Sequence, residues 1–168
     1  MSQYQNSSKL SQILAVFKSE SDQKLDQTSD DFSIINSNGK QYEIDIAMDL
    51  KTRKEAYQLM YDLYRNPAIN YAEENVSKMW YSIFNAQAQT ITLIAKDTST
   101  KKVVATLTIV FDSELGLPME ENYSLQLNEL RNKNRKCAEI ISLGFEKEAA
   151  GSSDLLIGLF KYAYVIST

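Results

Sequence analysis

The sequence predicts an α/β (α+β) fold, a central, mostly antiparallel, twisted sheet flanked by helices. Three observations carry this. Val103, Ala105, Leu107, Ile109 and Phe111 alternate with Val104, Thr106, Thr108, Val110 and Asp112, the period-2 spacing of a strand with two faces. Asn38-Gly39 separates two strand-like runs, and Asn-Gly is the pair that tight hairpin turns favour. The segments after Asp49 and after Ser152 carry apolar residues at helical spacing. At 168 residues, with 43% hydrophobic, one domain with a real core is expected, since a domain typically takes about 100–200 residues.

The elements follow in order. Residues 1–31 are a polar extension in which Leu10, Ile13, Leu14 and Phe17 form the stripe of one amphipathic helix. This segment is either a loosely packed appendage or a helix that docks on the core or a partner, and Ser19 to Asp31 reads as a linker. The core, 32–168, opens with the hairpin, Phe32–Ile35 and Tyr42–Ala47. Asp49 caps a helix to Arg65 with Ala56, Leu59, Met60 and Leu63 as its buried stripe. Tyr57, Tyr61 and Tyr64 form a second stripe, which either packs or lines a pocket. Asn66-Pro67 ends this helix, because proline disfavours helical geometry in the residue before it. Val76, Met79, Trp80, Ile83 and Phe84 predict a short amphipathic helix within Tyr71–Ala86. Thr90–Lys96 and Val103–Asp112 form a second hairpin. The apolar face of its second strand suits a core, and the face with Thr106, Thr108 and Asp112 suits water or a ligand. A loop with Gly116 and Pro118, a helix over Tyr123–Asn132 and a strand over Lys136–Phe145 follow. Ser152, Ser153 and Asp154 start the last helix with hydroxyl caps and a carboxylate near the positive helix end.

Composition narrows the function. A net charge of −4 argues against general nucleic-acid binding. Without histidine, the chain holds no imidazole triad, metal site or proton shuttle of its own. One cysteine, Cys137, forms no internal disulfide and fits a reducing compartment. It has no histidine to activate it, so a thiol nucleophile is not expected. No apolar run reaches the roughly 18–20 residues of a membrane span. No cleavable signal is expected either, since the apolar run Ile13–Phe17 is too short, and a cytoplasmic location is the default.

Within this frame, VVATLTIVFDSELGLPMEENY, the later LNELR and AEIISL, read over roughly Tyr42 to Phe160, resemble the core of the bacterial N-acyl amino acid synthases. These are long-chain relatives of the acyl-homoserine-lactone synthases within the GNAT-like acyltransferase fold. The resemblance implies transfer of a long-chain acyl group from an acyl carrier protein to the amine of an amino acid. It implies no tightly bound cofactor. The donor would be acyl-phosphopantetheine on the carrier, and acyl-CoA fits less well. The usual glycine-rich pyrophosphate loop is replaced by EKEAAGSSD, with one glycine and three acids, although the Ser152 and Ser153 amides could hold a single phosphate.

Glu139 carries the chemistry in this reading. It alternates with Cys137, Ile141, Leu143 and Phe145, and a carboxylate on an apolar strand face is costly unless paired or protonated. Amide formation needs such a group, or a water chain, to take the proton of the attacking amine. A glutamate at the matching position of the lactone synthases is thought to do this. A structural salt bridge to an arginine or lysine is the alternative, and a bulge, common in this strand of the fold, could turn Glu139 outward. Lactone synthases carry arginines where this chain has Met60, Thr108 and Ser142, which favours the amino-acid branch. The strands around Thr106 and Thr108 would flank the donor, with strand amides polarising its carbonyl. Ser142, Tyr61 and Trp80 complete the expected substrate contacts. Arg131, Lys133, Arg135 and Lys136 either steer an acidic carrier protein or simply complement a helix C-terminus. Asp112 is expected to hold its loop by an Asx-type turn.

Family members continue past the last helix with further strands, so the C-terminal strands of the fold are expected to be missing here. That keeps a second function open: a non-catalytic acyl-sensing or dimerisation module, with a free sheet edge that favours strand addition.

Overall fold

A computed structural model describes residues 33–69 and 71–167. The helix expected around Leu10–Phe17 and its linker lie outside them. The described strands are β1 (Ile34–Ser37), β2 (Lys40–Ile46), β3 (Ile91–Asp97), β4 (Val103–Phe111) and β5 (Ala138–Phe145). The helices are α1 (Leu50–Tyr64), α2 (Glu120–Asn132) and α3 (Ser153–Ser167), with one 3-10 turn at Ile83–Ala86. The expected mixed α/β architecture is present. The strands lie in the order β1-β2-β3-β4-β5, and every neighbouring pair is antiparallel.

The first hairpin closes as its sequence dictates. Asn38 and Gly39 both take positive φ, 53° and 73°, the requirement of a two-residue type I′ turn, with Ser37 opposite Lys40. Asp49 caps α1 by accepting the Thr52 N–H at 2.8 Å. That bond and the Thr52 hydroxyl hold the Asp49 carboxyl below its usual range. Ala56, Leu59 and Met60 are buried as expected, and so is Tyr61. Tyr61 therefore belongs to the core-facing side of α1, while Tyr57 and Tyr64 are half-buried.

Two layers sandwich the sheet. On one face Leu155, Leu159 and Ala163 of α3 meet Tyr42, Ile44, Leu93, Leu107 and Ile109. Gly158 lets α3 approach, since a Cβ there would lie 2.7 Å from the Ile35 side chain. On the other face α1 contributes Ala56 and Leu59 against Ile94 and Val103. Beside it Leu117 and Leu127 pack on Val110, together with Phe84, Met119 and Ile141.

Two expectations change here. Residues 71–82 form no helix. The Asn75 carboxamide oxygen accepts from the Ser77 hydroxyl and, at 3.4 Å, from the Met79 N–H, and Lys78 takes φ +49°. A side chain that bonds the nearby backbone competes with helix formation. The segment is held instead by Trp80 N–H bonding to Tyr57 O and by a triad of rings. Tyr64, Tyr71 and Trp80 lie 5.2–5.3 Å apart, edge to face.

The alternation of β4 also breaks. Ala95 pairs with Ala105 but Lys96 pairs with Val103, so Val104 is an extra residue, a bulge. Val104 and Ala105 both join the α3 side, whereas Val103 faces α1. Thr106 and Thr108 do lie on the opposite face from Ala105 and Leu107, but each is only 1% exposed. Their face does not meet water, because α1 and the loop segments close over it.

Candidate active site

β5 is the last strand of the described sheet, with no strand on its outer side. Its register against β4 shifts. Thr108 pairs with Ile141, but Thr106 pairs with Gly144. Ser142 and Leu143 therefore oppose Leu107 alone, and Ser142 adopts φ +52°. Such a bulge leaves an extra residue unpaired and bends the strand. A positive φ at a residue other than glycine costs about 1–3 kcal/mol. The bulge also corrects the expected alternation. Glu139 and Ile141 face α1 and α2, as does Gly144, but Phe145 faces α3.

Glu139 pairs with Val110 and shares its face. It is half-buried, and its Oε2 accepts the Met119 N–H at 2.7 Å. Among the described residues no lysine or arginine pairs with it, so the salt-bridge alternative is not what the structure shows. Met119 is the N-cap of α2 and has no side-chain cap of its own. A carboxylate at this end satisfies one orphan N–H and complements the helix dipole. The other carboxylate oxygen has no hydrogen-bond partner among the described residues.

The loop between β4 and α2 is fastened by charge. Arg131 donates to both oxygens of Asp112, 2.7 Å each, and to both oxygens of Glu120, 2.6 and 3.0 Å. Glu120 also accepts the Leu117 N–H at 3.1 Å. Gly116, at φ +76°, sits where a Cβ would be 2.1 Å from Glu120 Oε2, so the clamp requires glycine. Arg131 and the Leu117 amide hold Glu120 down at about 2. The Arg131 hydrogen bonds and charge likewise hold Asp112 below its usual range. Asp112 thus organises its loop through Arg131 more than through a local turn. Arg131 is engaged internally, with its side chain 28% exposed, and the exposed cations of the cluster are Lys133, Arg135 and Lys136.

The remaining expected contacts have internal partners. Thr106 donates to Leu93 O at 2.9 Å, and Thr108 shares a 3.2 Å hydrogen bond with Thr92. Tyr61 OH accepts the Asn75 N–H at 3.4 Å, and Trp80 stands in the ring triad. At the start of α3, Ser152 caps Leu155 N–H at 3.1 Å and donates to Ser37 at 2.9 Å, while Ser37 donates to Asp154. The Ser152 amide bonds Ala149 O. These groups tie α3 to the first hairpin, and with Asp154 present they make a poor phosphate cradle. A cavity of about 350 Å³ lies at the opposite end of the sheet from Glu139. Glu55, Asp62, Glu146 and Glu148 outnumber Lys102 and Lys147 in its lining, which also disfavours an anion. Sequence reasoning missed Met119, Glu120 and Gln87, because each acts through contacts with residues distant in the chain.

A carboxylate with one free oxygen therefore lies on the outermost strand, three residues before a bulge with unpaired backbone. That combination suits attack on a carbonyl held by strand amides. The sequence model of the family described as N-acyl amino acid synthase FeeM matches residues 55–168. No curated protein matches the chain. The solved structure of FeeM, an N-acyl amino acid synthase from uncultured soil microbes, is similar at 19% identity with a TM-score of 0.60, covering 77% of this chain and 68% of FeeM. The AHL synthase LasI is similar at 15% identity with a TM-score of 0.51 and the same coverage of both chains. At these identities the two structures show a shared fold. Membership comes from the family match, which spans more than half of the sequence: the chain belongs to the N-acyl amino acid synthase family, a family of acyltransferases.

Proposed function

We propose that this acyltransferase moves a long-chain acyl group from acyl carrier protein to the amine of an amino acid. The observation that carries the proposal is Glu139, on the outermost strand beside the Ser142 bulge with one carboxylate oxygen unengaged. The amine nitrogen attacks the thioester carbonyl carbon. A C–N bond forms, the C–S bond breaks, and the pantetheine sulfur leaves as thiolate. The attacking amine is neutral, and Glu139 takes a proton from its nitrogen as the C–N bond forms and makes it cationic, directly or through a water. That proton then passes to the leaving thiolate, which restores the carboxylate. Amides freed by the bulge polarise the carbonyl oxygen, as preorganised donors do where negative charge develops.

The donor reading rests on charge. Lys133, Arg135 and Lys136 are exposed just before β5, a local positive site on a chain of net charge −4 and a match for an acidic carrier. The acids around the start of α3 argue against acyl-CoA. Incubation of the protein with long-chain acyl carrier protein and each of the twenty amino acids, read by mass spectrometry, should yield an N-acyl amino acid. A folded sample that acylates none of them would overturn the proposal. The unpaired edge of β5, with Ile140 and Leu143 41% and 39% exposed, favours a second reading, an acyl-sensing or dimerisation module. Sedimentation showing a dimer with no acyl transfer would select it.

A further inference from the structure

The proposed reaction, on which this inference rests, needs a group that holds the acceptor's carboxylate so that its amine faces the thioester. Arg131, which fastens the loop before α2, is already engaged by Asp112 and Glu120. A neutral donor is available instead. Gln87 follows the 3-10 turn, where its backbone N–H bonds Phe84 O at 3.3 Å. Its Oε1 accepts the Ser113 hydroxyl at 2.9 Å, and Ser113 Oγ in turn accepts the Leu115 N–H at 3.2 Å. The other end of the amide, Nε2, is buried and has no hydrogen-bond partner.

A buried amide donor without a partner is destabilising, and native structures rarely retain one without a reason. Its location supplies the reason. Phe84, three residues earlier, packs with Val110, Met119 and Ile141. Val110 is the strand partner of Glu139, and Met119 is its hydrogen-bond donor. Thr90, which leads into β3, donates to Phe84 O at 2.6 Å and pins this segment to the sheet. Gln87 and Glu139 therefore belong to the same face and the same end of the sheet. The residues flanking Gln87, Ala86 and Ala88, are exposed, so the segment that carries the amide lies at the surface.

We propose that Gln87 binds the acceptor amino acid, its Nε2–H donating to the acceptor carboxylate while Ser113 fixes the orientation of the amide. The test compares acceptor KM and kcat for wild type, Gln87→Ala and Gln87→Glu, using two amino acids that wild type acylates in the twenty-acceptor screen, each against its own carboxamide. Gln87→Ala should raise the acceptor KM roughly 10- to 100-fold, as expected for a lost hydrogen bond to a charged group, with the acyl-donor KM unchanged. Gln87→Glu should be worse, since it sets a carboxylate against a carboxylate. The carboxamides should lose little in either variant. Because acid and amide are compared within one variant, partial unfolding cannot mimic the result. An unchanged acceptor KM in Gln87→Ala, an equal loss for acid and amide, or wild-type affinity in Gln87→Glu overturns the proposal. If wild type acylates none of the twenty amino acids, the reaction reading fails separately. Calorimetric binding of the twenty amino acids and of leucine carboxamide to wild type and Gln87→Ala then decides the role of Gln87, with loss of acid binding supporting it and no difference refuting it.

Discussion

Glu139 makes one observed contact and has one proposed role, and a pair of substitutions divides them. Its Oε2 holds the N-terminal amide of α2 at 2.7 Å, and its other oxygen is the proposed base. Glu139→Gln keeps a carbonyl oxygen for Met119 but removes the base. Glu139→Ala removes both. A hydrogen bond to a charged group contributes about 1.5–3 kcal/mol and a neutral one about 0.5–1.5. The half-buried position places both values toward their lower ends. Glu139→Gln should therefore destabilise by about 0.5–1 kcal/mol, and Glu139→Ala by about 1.5–2 kcal/mol. At ~2–4 °C per kcal/mol for a chain of this size, Tm falls by ~1–4 °C in the first and ~3–8 °C in the second. Activity should divide differently. Both variants lose a general base, which accounts for a factor of ~10²–10⁴ in kcat. Urea titration gives the first quantity, and initial rates of N-acyl product by mass spectrometry give the second. Wild-type kcat in Glu139→Gln would refute the base, and wild-type stability in Glu139→Ala would refute the anchor.

Three further outcomes follow from the geometry. Asp97 is lowered from 3.8 to about 2 by the Ser99 hydroxyl and neighbouring amides, and Glu120 from 4.5 to about 2 by Arg131. Both are depressed in the folded state, so their stabilisation is complete above about pH 5 and is lost as pH falls from 4.5 toward 2. Urea midpoints measured across pH 2–7 should show this decline, and Arg131→Met should make it shallower. Gly116→Ala forces a Cβ against Glu120 at a positive φ and should destabilise by about 1–2 kcal/mol, with faster proteolytic cleavage between residues 112 and 119 as the readout. Leu159→Ala, at a fully buried position in α3, should cost about 2–5 kcal/mol by chemical denaturation.

What the sequence disclosed is what local chemistry determines. Asn38-Gly39 and Asp49 specify a turn and a cap within four residues of chain, and both formed where expected. The stripe Ala56, Leu59, Met60 was equally readable, because helical period and burial agree there. The segment around Trp80 misled, since its apolar spacing imitates a helix while the Asn75 side chain competes for the backbone. The two bulges had no local signature. Val104 and Ser142 are unremarkable strand residues, and only pairing with a neighbouring strand reveals which residue is extra. The Arg131 clamp and the orphaned amide of Gln87 join residues 11 to 26 positions apart. Composition and periodicity carry no information about such pairings.

The Ser142 bulge also has a consequence for how this chain tolerates insertion and deletion. Glu139 and Gly144 are an odd number of residues apart, yet both face α1 and α2. In a regular strand two such positions lie on opposite sides. One extra residue thus acts as a frameshift between the two halves of β5. Deleting the extra residue would straighten the strand and keep both halves on their present faces. Pairing the same residues without the bulge would instead leave the composition of the strand untouched and still invert one half. Either the carboxylate would turn into the α3 core, or Phe145 would be driven against Met60 and Leu63, where even a Cβ on Gly144 would come within 2.6 Å. The placement of the Glu139 carboxylate is therefore a matter of counting, and a one-residue insertion between Glu139 and Gly144 tests the site without altering Glu139.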